Sequence, residues 1–403
     1  MVGIPIESIQ NRDQISSSHK FPRNTALVHP VLNLCPKEEW AFMEIISKIN
    51  QPTVRIGFVP LNDAAPLLLA QELDLFQKHG LNVKLSRELG WASVRDKVVT
   101  GELDGAHSII GLPLCSMVAG QFSRTLPVIA PLITSLQGNA ITIGSKYREA
   151  GLQTPKAMFE HLAKSKSSRS LTFAIVSKFS SHLILVRQWL RNGGLNPDTD
   201  ANIVVLPPPQ MVHHLKAGHI DGYCVGEPWN SLSVMIGHGF CAATSVEISP
   251  YHPEKILMLS RSFADKEPEL SRKLVSAISE ACQLCDMSEH RPLLSQVLAR
   301  NDYLNLSPEI LKDSLEGTLL RKNNPALDNN SDFILFSGSG VNSPNSQKKS
   351  WIYNGLREAG SLLESGRSIF QSMKEIYRSD YLKETNDSLS SVQSEQPEAP
   401  LAI

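Results

Sequence analysis

The sequence has no stretch of about 18 apolar residues able to cross a bilayer, which excludes a membrane span. Charge of one sign is missing too: 39 basic face 40 acidic side chains, a formal net of −1. No global field exists to hold a nucleic-acid backbone or an anionic membrane, so any bound anion needs a local site. Cysteine is scarce, six in 403 residues at irregular spacing, unlike a secreted disulfide framework. Cys282 and Cys285 form a CxxC, yet no second pair or HxxxH lies near enough to complete a zinc site, and buried thiols on a helix face are expected. Residues 1–30 lack the basic start, apolar run and small-residue cleavage site of an export signal, and Cys35 lacks the apolar run of a lipid-anchor cysteine. A cytoplasmic chain is the expectation. Catalytic signatures are also missing: there is no GxSxG, HExxH, Walker loop or GxGxxG after a strand. No acid and base pair stands at a useful spacing either, so no enzyme, metal or cofactor is predicted.

What is present is a globular composition, 41% hydrophobic and 20% charged, in a chain long enough for two or three lobes. Short β-branched runs at 54–59, 82–86, 104–108 and 127–132 alternate with helical patterns at 64–79, 91–100 and 112–119, most of them stopped by glycine. After 133–143 a second series follows: strands at 171–176, 203–206 and 221–225, helices at 181–192, 207–217 and 227–236. Such alternation predicts two successive α/β units with mostly parallel sheets. Strands at 242–248 and 255–260 and helices at 268–287 and 292–300 follow. Residues 323–348 read as a surface excursion with one apolar island, 333–336, and residues 350–382 as helical.

Helix N-termini attract oxyanions through free N–H groups and the helix dipole. Three strand-to-helix turns carry suggestive residues: Trp91 after Gly90, Ser181 and His182 after Ser180, and Gly226 before Glu227-Pro228-Trp229. Each also has a plain reading. Trp91 can be a packing anchor, Ser181 and His182 caps, Gly226 a tight turn, and Lys255 a solvated charge.

Several segments together resemble the nitrate- and bicarbonate-binding proteins of ABC importers and their cytoplasmic relatives, the nitrate/nitrite sensors. They are IGFVPLNDAAPLLLAQELDLFQKHGLNV at 56–83, GWASVRDKVVTGELDGAHSIIGLPL at 90–114, QGNAIT at 137–142, PPPQMVHHLKAGHIDGYCVGEPWN at 207–230, HPEK at 252–255 and FILFSGSGVNSP at 333–344. The resemblance implies a two-lobed α/β fold of the periplasmic-binding-protein type (type II), with the ligand cleft between the lobes. Its division would be an N-terminal extension over 1–50, lobe 1 over 51–140, lobe 2 over 141–246, a return to lobe 1 over 247–345, a helical segment over 346–383 and a disordered tail over 384–403. In ligand binding it implies Trp91 as a wall, His182 and Lys255 as donors, the Gly226 N–H as a further donor, and Gln137 and Asn139 as contacts. The family often has Gln at the place of Asn139 and Asn at that of Gln137, which leaves nitrate, nitrite and bicarbonate open. LSRELGWASVRDKV at 85–98 and MKEIYRSDYLKET at 373–385, together with the absent export signal, look more like the sensors. Those hold an RNA-binding antitermination regulator and release it on nitrate or nitrite. The same fold also serves importer subunits and enzymes of the pyrimidine-precursor (thiamine) type.

Overall fold

The computed structural model describes residues 52–117, 128–164, 170–327, 332–362 and 367–382. The expected N-terminal extension, Cys35 and the tail lie outside these. The first strand, β1 (Thr53–Phe58), buries Val54, Ile56 and Phe58 and pairs in parallel with β2 (Asn82–Arg87) and β3 (Gly105–Ile109). β4 (Val128–Gln137) is buried throughout, as its apolar run requires. One residue later β5 (Asn139–Gly144) opens a second sheet, with β6 (Leu171–Ile175), β7 (Ala201–Val205), β8 (Gly222–Gly226) and β9 (Gly239–Thr244). The chain then returns: β10 (Pro253–Ser260) inserts between β3 and β4, and β11 (Ile334–Leu335) adds beside β4. The strand orders are β11-β4-β10-β3-β1-β2 and β7-β6-β8-β5-β9.

Neither sheet is mostly parallel. β10 runs antiparallel to both neighbours, as does β5 to β8 and β9. The two crossings between sheets, at Gly138 and over 245–252, cause this, because each delivers a strand against the direction of its new neighbours. The architecture is that of a two-lobed α/β periplasmic-binding-protein-like fold.

Further differences from the sequence expectations have local causes. The helix expected over 64–79 is two helices, Ala65–Glu72 and Leu75–Lys78, broken where Asp74 takes the left-handed conformation at φ 54, which a short polar side chain tolerates. Residues 112–117 form a 3-10 helix. The strand expected over 242–248 stops at Thr244, whose side chain and that of Glu247 form a capping box for Ser245–Ile248. The apolar island is no surface excursion: Phe333, Ile334 and Phe336 are buried, and Ile334 pairs with Gln137. Helices Pro308–Glu316 and Thr318–Asn323 fill a stretch to which the sequence reading assigned no element. Helices Trp91–Thr100, Ser181–Asn192 and Pro208–Lys216 lie close to where they were expected.

One face of the first sheet, with Phe58 and Leu259, shares a core with Leu68 of helix Ala65–Glu72 and with Leu274, Ile278 and Leu311, and Cys282 and Cys285 are buried in the same cluster. The second sheet packs Ile141, Phe173 and Cys224 on Leu185 and Trp189. A third cluster joins the lobes, with Val59, Trp91 and Ile109 sharing it with Ala174, Tyr223 and Val225. No helix among the described residues is long and apolar enough to cross a membrane.

Candidate functional site

Lys255 is fully buried, so it is not a solvated surface charge. It lies on β10 beside Glu254, and successive strand residues ordinarily face opposite sides. Against β4 the register shifts between Pro253 and Lys255 and again between Lys255 and Ile256. Bulges of this kind re-aim side chains, and the Lys255 ammonium reaches 2.6 Å from Glu254 Oε1 as well as 2.5 Å from Asp63 Oδ2. Asp63 comes from the turn after β1, held across the lobes by Asn62 N–H donating to the Glu227 carbonyl at 2.8 Å. The Trp91 ring lies 5.6 Å from the ammonium, within cation–π range, and 5.8 Å from the His107 ring.

The second lobe closes the cluster through Glu254. Asn139 Nδ2 donates to its Oε2 at 2.7 Å, and the Ser181 hydroxyl donates to the same oxygen. His182 Nε2 lies 2.9 Å from Asn139 Oδ1 and 3.4 Å from Glu254 Oε1. Gly226, opposite Asn139 in the β5–β8 ladder, has no side chain for a reason visible here: a Cβ would stand 3.1 Å from Asp63 Oδ2. On the other flank the His252 ring stacks on Trp351, and Trp351 Nε1–H donates to Ser249 Oγ.

The structure therefore brings Trp91, Asn139, His182, Gly226 and Lys255 together. Gln137 is elsewhere engaged. With φ 63 at the first crossing, it donates from Nε2 to the Asp332 carbonyl at 2.9 Å and accepts from Tyr251 N–H at 2.7 Å. Both ends of its amide tie the crossing together instead of joining the cluster. Sequence reasoning missed Asp63, His107, His252 and Glu254, while Ser181, singled out at its helix end, does join the cluster. HPEK did place a carboxylate next to the lysine, but strand alternation pointed it away.

The ionisation pattern follows from burial against pairing. Burial opposes charge on Lys255, but Asp63 and Glu254 overcome it and raise its pKa; burial likewise opposes charge on both carboxylates, yet the ammonium holds Asp63 below and Glu254 well below the usual range. Burial drives His252 down to about 4, so it is neutral at pH 7. One ammonium against two carboxylates leaves the triad one negative charge. Around it Trp91 Nε1, His107 Nδ1, His182 Nδ1 and His252 Nε2 are buried without hydrogen-bond partners among the described residues, while His107 Nε2 lies 3.1 Å from Asp63 Oδ1. Buried polar atoms normally find partners, which makes these atoms candidates for contact with a ligand. No group of His, Cys, Asp and Glu among the described residues is arranged to hold a metal.

The chain is 38% identical over 317 residues to the nitrate import ATP-binding protein NrtC of Synechocystis sp. PCC 6803, covering 78% of this chain and 47% of that protein. It is 33% identical over 276 residues to the nitrate/nitrite binding protein NrtA of Synechococcus elongatus PCC 7942, covering 66% and 62%. It thus spans about half the length of the first and under two thirds of the second. The crystal structure of the periplasmic nitrate-binding protein NrtA from Synechocystis PCC 6803 superposes with a TM-score of 0.76 at 25% identity, covering 85% of this chain and 90% of that one. Residues 47–299 match the model of the NMT1-like family, and the chain belongs to that family.

Proposed function

We propose that the chain binds nitrate or nitrite at Lys255 and acts as a cytoplasmic sensor, holding an RNA-binding antitermination regulator of nitrate assimilation and releasing it when the anion binds. The observation that carries the anion reading is the sealed ammonium of Lys255 among unpartnered ring nitrogens of Trp91, His107 and His182. Two of the ammonium's three N–H groups reach Asp63 and Glu254, and the third remains for an oxyanion. Glu254 also takes hydrogen bonds from Asn139 and Ser181, so an anion beside it perturbs the contact that joins the lobes. That is the differential interaction a release mechanism needs.

Calorimetric titration with nitrate, nitrite and bicarbonate tests the anion reading. Heat for nitrate or nitrite, lost in a folded Lys255→Ala protein, is the expected result; silence for all three sinks it. The sensor reading is tested by affinity purification from cells grown with and without nitrate, where the regulator should co-purify only without it. A second reading, a substrate-binding component of a nitrate or bicarbonate importer, draws support from the similarity to proteins named for nitrate import and binding. Recovery of the chain with a membrane transport complex, and no regulator in either preparation, would favour it.

A further inference from the structure

A second cleft, of about 320 Å³, opens between helices Ser181–Asn192 and Ser346–Glu358. Small-molecule sites run from roughly 300 to 1,000 Å³, so its size suits a small metabolite. The two helices meet at Gly355, where a Cβ would stand 2.4 Å from Ile184 Cδ1. Ile184 and Trp351 give the cleft apolar walls, and Arg187, Arg191 and Glu358 give it charge.

Arg187 and Arg191 stand four residues apart on one helix, so they share a face. Each meets a carboxylate from another element. Arg187, 6% exposed, donates from Nη1 and Nη2 to Asp198 at 2.6 and 2.9 Å, while its Nε is buried without a hydrogen-bond partner among the described residues. Arg191 pairs with Glu358 of the facing helix at 2.5 Å, and the two side chains are 38% and 57% exposed. An open ion pair of this kind contributes little to stability, so a ligand exchanges with it at small cost. With Asp198 against Arg187 and Glu358 against Arg191, these four charges sum to zero.

We propose that this cleft is a second binding site, for a free α-amino acid. The ligand inserts into the Arg191–Glu358 pair: its carboxylate takes the Arg191 guanidinium and its ammonium takes Glu358, so both protein charges keep a partner through charge-assisted hydrogen bonds. The Arg187 guanidinium, on the same helix as Arg191, adds positive charge at the carboxylate end, and the ligand's side chain lies against Ile184 and Trp351. The balance of charge selects the class. A plain carboxylate would displace Glu358 and leave it without a partner, a plain amine would do the same to Arg191, and a zwitterion strands neither.

Calorimetric titration of the full chain in nitrate-free buffer tests the site. Leucine, glutamine and phenylalanine are the probes; the controls are 4-methylpentanoate, which is leucine without its ammonium, and 3-methylbutylamine, which is leucine without its carboxylate. At least one of the three amino acids should bind, and for leucine both controls should be weaker by about tenfold or more. Arg191→Gln and Glu358→Gln, at exposed positions, should each weaken the amino acid by about tenfold or more. Glu358→Gln should also raise the affinity for 4-methylpentanoate, because the cleft then carries a net positive charge. Trp351→Phe should remove the change in tryptophan fluorescence that accompanies binding. Silence for all three amino acids overturns the proposal. So does binding that is unchanged in both the Arg191 and Glu358 variants, which would put the ligand elsewhere, and so does 4-methylpentanoate binding the unaltered chain as tightly as leucine. None of these results depends on whether nitrate binds at Lys255.

Discussion

At the scale of the residue, Lys255 is stabilised by what it opposes. Removing it leaves Asp63 and Glu254 buried without a counter-charge, and breaking a buried pair in this way costs about 3–5 kcal/mol. Lys255→Met should show that loss in urea unfolding at pH 8. Without the ammonium, burial pushes both carboxyl pKa values above their unfolded values, so the stability they retain is present at low pH and lost as pH rises. The deficit should therefore shrink at pH 5, and an equal deficit at both pH values would show that the carboxylates are not the cause. The residue scale is also where the sequence was least legible. Trp91, His182, Gly226 and Lys255 stand out at strand and helix ends, but Asp63 and His107 join them only through pairing of segments remote in sequence, and Glu254 only through a bulge that no spacing rule announces.

At the scale of the element, local punctuation was readable and non-local pairing was not. Gly90 and Gly101 bound one helix, Ser180 and Gly193 another. Ser307, whose side chain accepts from Ile310 N–H, with Pro308 in the first turn and Gly317 at φ 66, offered equally plain signals for the helix that was passed over. By contrast nothing in PEKILMLS states that it lies antiparallel between β3 and β4, since the partners are more than a hundred residues away. The turn after β3 shows how tightly the elements meet. A Cβ on Gly111 would lie 2.1 Å from the Phe179 carbonyl oxygen, far inside contact distance and against rigid backbone. Gly111→Ala should hold the lobes apart at this edge, giving a larger radius of gyration by small-angle scattering and at least tenfold weaker nitrate binding. An unchanged radius and affinity would mean the loop yields freely.

Across the whole molecule, Glu227 sets a pH dependence opposite to that of the paired carboxylates. Burial raises its pKa to about 8, against hydrogen bonds from Ser231 and Asn230 that lower it. The folded state thus holds a proton that the unfolded chain releases near pH 4.5. Its stabilising contribution is complete below pH 4.5 and is lost as pH rises toward 8, at up to about 1.4 kcal/mol per pH unit. Asp63 and Glu254, held low, contribute in the other direction, on acidification. Glu227→Gln should flatten the decline between pH 4.5 and 8 in thermal unfolding; a parallel pair of curves would place the proton elsewhere.

The burial of the cluster has a kinetic consequence. On the proposed anion reading, with Lys255, His182 and Glu254 wholly enclosed and Asp63 3% exposed, the approaching anion meets a nearly neutral exterior and gains nothing from long-range attraction. Entry is timed by the parting of the lobes, not by collision. In stopped-flow mixing the observed rate should level off at high nitrate, and the plateau should be almost indifferent to added inert salt.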